Sequence, residues 1–406
     1  MSNLEAAVVA FRDVAELPTG LGRYEKDLQL KTQSQIFQIY RAKVPHEKGC
    51  QSPSTVVIKI FDLEKTNPSG NADTLTDVQK EVAIMRQCCH PNIVELQTSF
   101  AVGSQLWMVL NYMNRGSCYD QIQAREARKK EGADLELGFR LPAVKWILSE
   151  TLKALKYLHG QNMIHRDIKA QNILLDSKWD VKVTDFWKSS NLDGEKKKKV
   201  VQLACFHEHI RSRLSHAHTC VRTHARTHTH THTHTHTHTH ALTRAHARVQ
   251  EPAIAERARM AFGPDHEINV PARIKQVMTF VGSPCWMAPE VVEQEAGYDN
   301  KADIWSLGIT TIELATGHTP FHNQKPLKVL KSILFSAEPR LPEKHDAALR
   351  DFVEKCLKRQ PTQRPGAVQL ASESTLLTSG APLTRPSVSD ELVGPCNASK
   401  ASKWRF

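Results

Sequence analysis

Threonine and histidine alternate without a break from Thr227 to His240, in the middle of a long chain. The tract belongs to a wider stretch, 188–275, that includes Glu195-Lys-Lys-Lys-Lys199 and many further His, Arg and Ala residues. No apolar period of 2 or 3.6 residues survives across it, so neither a strand nor a helix there has a face to bury. A segment of that composition cannot offset the entropy of ordering and is expected to be disordered. The core must then be assembled from two flanks that are far apart in sequence.

The flanks hold enough material. Of 406 residues, 40% are apolar and 24% charged, which excludes a collagen-like or wholly disordered chain. No apolar run approaches the roughly 20 residues of a membrane helix, so no membrane span is expected. The short apolar patch Ala6–Phe11 ends at Arg12 and Asp13 without a basic region before it, unlike a secretory signal. The nine cysteines form no C-x-x-C, which suits a reducing compartment better than a disulfide framework or a zinc cage. The net charge of +11 is concentrated. Residues 188–275 carry 15 Lys+Arg against 7 Asp+Glu, a surplus of +8 that leaves +3 for everything else. Charge confined to one segment is not a basic folded face, so no specific nucleic-acid partner is expected.

Before the break, Ile36–Ala42, Thr55–Leu63 and Leu106–Leu110 read as strands, being β-branched and apolar. Thr74–Gln87 reads as a helix, with Leu75, Val78, Val82 and Met85 at helical spacing. Residues 142–160 predict a long amphipathic helix with Val144, Ile147, Leu148, Leu152, Leu155 and Leu158 on one face and Gly160 as its stop. From Asp299 to Phe352 the pattern is again mostly helical. A small strand-rich part followed by a larger helical part is a bilobal α+β layout.

Five polar pieces punctuate this layout in a fixed order. Val56-Val-Ile-Lys59 puts a lysine on a strand, and Glu81 follows 22 residues later on the helix. His165-Arg-Asp-Ile-Lys-Ala-Gln-Asn172 follows the long helix. Asp185-Phe186 lies 18 residues after Asp167, and Ala288-Pro-Glu290 comes later still. Together they resemble the signature set of a protein kinase, over about residues 24–370. The resemblance implies a bilobal kinase fold and ATP- and Mg2+-dependent phosphorylation of serine or threonine in protein substrates. In-line phosphoryl transfer needs positioning and charge neutralisation more than covalent chemistry, which suits these residue types. By resemblance, Lys59 holds the α- and β-phosphates and Glu81 fixes that lysine. Asp167 accepts the substrate's proton, Lys169 reaches the γ-phosphate, and Asn172 and Asp185 hold magnesium. Val57, Leu110, Asn111, Met113 and Leu174 line the adenine pocket, with Thr32 and Ser34 at the phosphate loop. His165, Arg166, Asp303 and Arg364 are structural, and Arg364 pairs with Glu290. Met85, Leu96, His165 and Phe186 match a stacked apolar column.

Phe280-Val-Gly-Ser-Pro-Cys-Trp-Met-Ala-Pro-Glu290 and Lys301-Ala-Asp-Ile-Trp-Ser resemble the germinal-centre branch of the Ste group. Ile60-Phe-Asp-Leu-Glu-Lys65 and Ile312-Glu-Leu-Ala-Thr-Gly317 resemble its Fray-like, oxidative-stress-responsive subgroup. The resemblance implies a cytoplasmic enzyme in a stress or osmotic cascade, activated by an upstream kinase. Thr279 would be the activation phosphosite, and Ser283 an unmodified hydroxyl beside Asp167 and Lys169. Members of the subgroup often carry a C-terminal docking domain, for which the tail here is too short. The expected organisation is an extension over 1–23, a small lobe over 24–110, and a large lobe over 111–375 interrupted by 188–275. A disordered tail follows over 376–406.

Three features depart from the family. The glycines of the phosphate-covering loop fall at Thr32, Ser34 and Phe37, where a small residue lets the backbone approach phosphate. Trp187 follows Asp185-Phe186 in place of a glycine. The stretch from Phe186 to Phe280 is about 90 residues where the family has near 20; two doublings of loop length cost about 1.2 kcal/mol. A Thr-His alternation is also what an (AC)n repeat encodes, so the segment reads as retained intron sequence. The other readings are a loop whose imidazoles bind Zn2+ or Ni2+, or a binder of polyanions. The first two departures favour an alternative function, a pseudokinase scaffold that no longer turns over.

Overall fold

The computed structural model describes residues 24–30, 37–44, 54–63, 72–186, 190–191, 284–293, 299–379, 383–386 and 392. Thr32, Ser34, Trp187, Thr279, Ser283 and the Thr-His tract lie outside the described residues.

The first part of the chain is an antiparallel sheet. Strands β1 (Glu25–Leu30), β2 (Phe37–Val44), β3 (Ser54–Asp62), β4 (Leu96–Val102) and β5 (Gln105–Asn111) pair in the order β1-β2-β3-β5-β4. Helix α1 (Ala72–Gln87) runs between β3 and β4. The two-residue strand period divides the apolar residues into two sets. Val56, Ile58 and Ile60 pack with Trp107, Val109 and Phe100 in one cluster. Phe61, Leu106, Met108 and Leu110 join Val78, Val82 and Met85 of α1 in the main core. Lys59 pairs in register with Met108 and shares the face of Val57 and Phe61, toward α1. The sequence places β2, β3, α1 and β5 to within two residues. It misses β1 and β4, whose alternation is broken by polar residues.

The second part is helical. α2 (Cys118–Lys130) follows the short strand β6 (Gly116–Ser117), and Ser117 with Asp120 forms a reciprocal capping box. α3 (Leu141–Gly160) buries the face that the spacing predicts. Its stop differs from expectation. Gly160 is still helical, and the left-handed residue is Asn162 at φ 55°, which an amide side chain tolerates better than most. Strand β7 (Met163–Ile164), a 3-10 turn over Ala170–Asn172, and the hairpin β8 (Ile173–Leu175) to β9 (Val181–Val183) follow. α4 (Pro289–Glu293), α5 (Lys301–Thr316), α6 (Pro326–Phe335), α7 (Ala347–Cys356), α8 (Ala367–Glu373) and α9 (Thr375–Thr378) complete the order. α5 is buried at every position from Ala302 to Ala315, as a helix surrounded by others must be.

Two expectations need correction. Ser190 and Asn191, placed in the segment without a core pattern, form strand β10 by pairing with Ile164 and Met163 of β7. The tail after 375 is not featureless either. Leu376 and Leu392 belong to the main core. Arg385 donates to the carbonyl of Lys178 at 2.9 Å and to the Asp180 carboxylate at 2.7 Å. Isolated anchors of this kind have no period, so a pattern search cannot find them.

Candidate active site

Lys59 leaves the middle of β3 and Glu81 the inward face of α1. Their side chains meet at 2.8 Å, both almost wholly buried. Burial pushes the Glu81 carboxyl up, and the Lys59 ammonium opposes that shift. Asp185 brings a second carboxylate to 4.0 Å from Lys59 Nζ. Its backbone is left-handed at φ 70°, a conformation that L residues hold only where the surroundings impose it.

The loop between β7 and β8 supplies the rest. Lys169 Nζ donates to Asp167 Oδ2 at 2.7 Å. Asn172 Nδ2 donates to the same carboxylate oxygen at 2.9 Å and to the Asp167 carbonyl at 2.8 Å. Asn172 Oδ1, turned the other way, is buried and has no hydrogen-bond partner among the described residues. An orphaned buried carbonyl oxygen and the Asp185 carboxylate are both oxygen donors of the kind a hard divalent cation takes. The residues present therefore fit magnesium.

The loop is held from below by α5. Asp303 accepts from the backbone N–H of His165 at 2.9 Å and of Arg166 at 2.8 Å, and His159 Nε2 lies 2.8 Å from it. Burial pushes the Asp303 carboxyl up, but His159 and the backbone donors outweigh that and hold it below the usual carboxylate range. These contacts fix Arg166 at φ 68°. His165 Nε2 donates to the Thr184 carbonyl at 3.0 Å, and Nδ1 accepts from the Asp167 N–H at 3.2 Å. That pattern requires a neutral ring, and burial lowers its pKa accordingly. The ring meets Phe186 edge-on at 5.0 Å, with Met85 buried and Leu96 packed against the same core. Arg364 makes a bidentate pair with Glu290, 2.6 and 2.8 Å, and its own side chain is fully buried.

A cavity runs between the two parts of the chain, lined by Val57, Leu110, Met113 and Leu174 with Lys59 and Asp185 at its inner end. Asn111 also lines it. Of the expected residues, Val57, Lys59, Glu81, Leu110, Asn111, Met113, Leu174 and Asp185 line this cavity, whereas Asp167, Lys169, Asn172 and the Arg364–Glu290 pair are not among its lining.

The sequence reading assigned no site role to Glu313. Its Oε2 accepts from the Ala170 N–H at 3.0 Å and from the Trp286 indole N–H at 3.0 Å, so it ties the loop carrying Asp167 to the turn before α4. Burial pushes its carboxyl up to about 7, against the pull of those two donors and of Lys169. The available signal was a carboxylate inside the largely apolar run Ile309–Ala315, a residue type rarely buried without a task.

Comparison with known proteins agrees with this geometry. The family model for the protein kinase domain matches residues 42–207 and 262–375. The chain belongs to the protein kinase family. The model passes over 208–261, a narrower stretch than 188–275. Germinal center kinase 3 of Caenorhabditis elegans is 32% identical over 329 residues, 79% of this chain and 42% of that protein. Serine/threonine-protein kinase fray2 of Dictyostelium discoideum is 31% identical over 316 residues, 76% of this chain and 22% of that protein. Serine/threonine-protein kinase ppk11 of Schizosaccharomyces pombe is 29% identical over 347 residues, 85% of this chain and 79% of that protein. The chain thus spans less than half of the first two relatives. No helix among the described residues is long and apolar enough to cross a membrane.

Proposed function

We propose that the chain transfers the γ-phosphate of ATP to serine or threonine hydroxyls of proteins. The observation that carries the reading is the buried Lys59–Glu81 pair with Asp185 at the cleft, joined to the Asp167–Lys169–Asn172 cluster through the Thr184 N–H, which donates to the Asn172 carbonyl at 3.0 Å. Lys59, oriented by Glu81, holds the α- and β-phosphates. The Asp167 carboxylate, positioned by Lys169 and Asn172, receives the proton of the attacking hydroxyl. Lys169 then stabilises charge developing on the transferred group. Asn172 Oδ1 and Asp185 would hold magnesium, which supplies charge neutralisation at the phosphate oxygens. The names of the relatives support a serine/threonine kinase and give no support to the pseudokinase alternative. A cytoplasmic place in a stress cascade, with an upstream kinase acting on Thr279 and Ser283 left unmodified, extends the same reading.

The test is phosphate transfer from MgATP to a generic serine/threonine substrate by the full chain. Asp167→Asn should lower the rate by roughly 10²–10⁴-fold. Thr279→Ala should lose activation by an upstream kinase and keep basal transfer, whereas Ser283→Ala should lose both. Equal rates for the parent and Asp167→Asn would overturn the proposal.

A further inference from the structure

Phe37 stands at the head of β2, where the kinase pattern has a glycine. The register with β3 decides where its ring goes. Phe37 pairs with Phe61 and Ile39 with Lys59, and alternation puts Phe37 on the same side of β2 as Ile39. Ile39 lines the cleft. The Phe37 ring accordingly lies over the catalytic lysine, with its centroid 4.5 Å from Lys59 Nζ. It packs against Phe61 at 5.3 Å, and the Phe61 centroid is itself 4.9 Å from the same nitrogen. The Lys59 ammonium is therefore flanked by the Glu81 carboxylate, by Asp185 at 4.0 Å and by two aromatic rings, a favourable arrangement for a cation.

We propose that Phe37 is a phosphate gate: its ring occupies the space over Lys59 that the α- and β-phosphates of a nucleotide need, and it must swing out for them to enter. The proposal rests on the reading of the cleft as a nucleotide site. Val57, Leu110 and Leu174 wall the adenine end, and the ring contact is with Lys59, so the gate acts on the phosphates and not on the base. Binding that must first displace the ring is weakened by the population of the displaced state. Phosphates then add little affinity to that of the nucleoside.

The test is calorimetric titration of the full chain with adenosine and with MgATP, on the parent, Phe37→Gly and Phe37→Ala. Alanine keeps a β-carbon on the strand in case the glycine variant does not fold. The parent should bind MgATP no more than a few-fold tighter than adenosine. Either variant should tighten MgATP at least tenfold and change adenosine less than twofold. If MgATP affinity stays within twofold of the parent while adenosine still binds, the gate is wrong and the nucleotide site stands. A parallel rise for both ligands also overturns the gate. If neither ligand binds any of the three proteins, the nucleotide-site reading falls and the gate with it.

Discussion

Glu313 is an ionisable side chain placed where the fold favours its neutral form. An ordinary glutamate ionises near 4.5, and burial moves this one to about 7. Between those values the folded chain keeps a proton that the unfolded chain has released. Stability from this group is therefore complete below about pH 4.5 and is lost as pH rises through about 7. Integrated from pH 5 to 8, the loss is on the order of 2 kcal/mol. Glu313→Gln keeps an acceptor for Ala170 and Trp286 and removes the titration. Urea unfolding across this range should show the parent losing about 2 kcal/mol more than the variant. Parallel curves would mean that Glu313 stays charged in the fold.

At the scale of elements, α5 carries the organisation of the large lobe. Every residue from 302 to 315 is buried, so each side of the helix is specified by a different neighbour. Asp303 holds the loop that carries Asp167, Glu313 links that loop to Trp286, and Thr310 Oγ1 donates to the Ile168 carbonyl. Gly308 faces α7. A β-carbon there would stand 2.7 Å from Cys356 Cβ and 2.8 Å from Leu357 Cδ2, closer than packed atoms allow. Gly308→Ala gains about 1 kcal/mol of helix propensity, while overpacking of this kind costs about 1–3 kcal/mol. The contacts involve a β-carbon that cannot rotate away, so the packing should win. Denaturant melts should find the variant less stable than the parent, and a stabilised variant would show that α5 and α7 can separate without penalty.

For the whole molecule, the family model ends at residue 207 and resumes at 262. The described residues before and after that gap contain the Asp167–Asn172 cluster and the Arg364–Glu290 pair. Excising 208–261 should therefore leave the fold intact. Shortening a connection raises stability only logarithmically, so the gain should be about 1 kcal/mol or less. The check is the urea midpoint and adenosine affinity of the excised chain beside the parent. A chain that no longer folds or binds would place an essential contact within 208–261.

Much of the site could be read from residues because the chemistry is local in sequence. Lys59 on a β-branched run, Glu81 on a periodic helix and the His165–Asn172 segment each carry their own signal. Their element types follow from spacings of two and 3.6 residues. The layout into a strand-rich and a helical part follows in the same way. Other features depend on partners that no local pattern contains. Asp303 meets the His165 and Arg166 amides from 138 and 137 residues away. Arg385 meets Lys178 and Asp180 from 207 and 205 residues away in sequence. Ser190 and Asn191 gain a strand only because β7 offers an edge. Sequence alone marks Phe37 as a bulky residue in a glycine's place. The pairing of β2 with β3 decides that the bulk falls over Lys59. The same holds for Glu313, whose ordinary carboxyl is displaced to about 7 only because α5 is enclosed on every side. Residue type and spacing set what each group can do, whereas burial and long-range register set which water is removed and which charges meet.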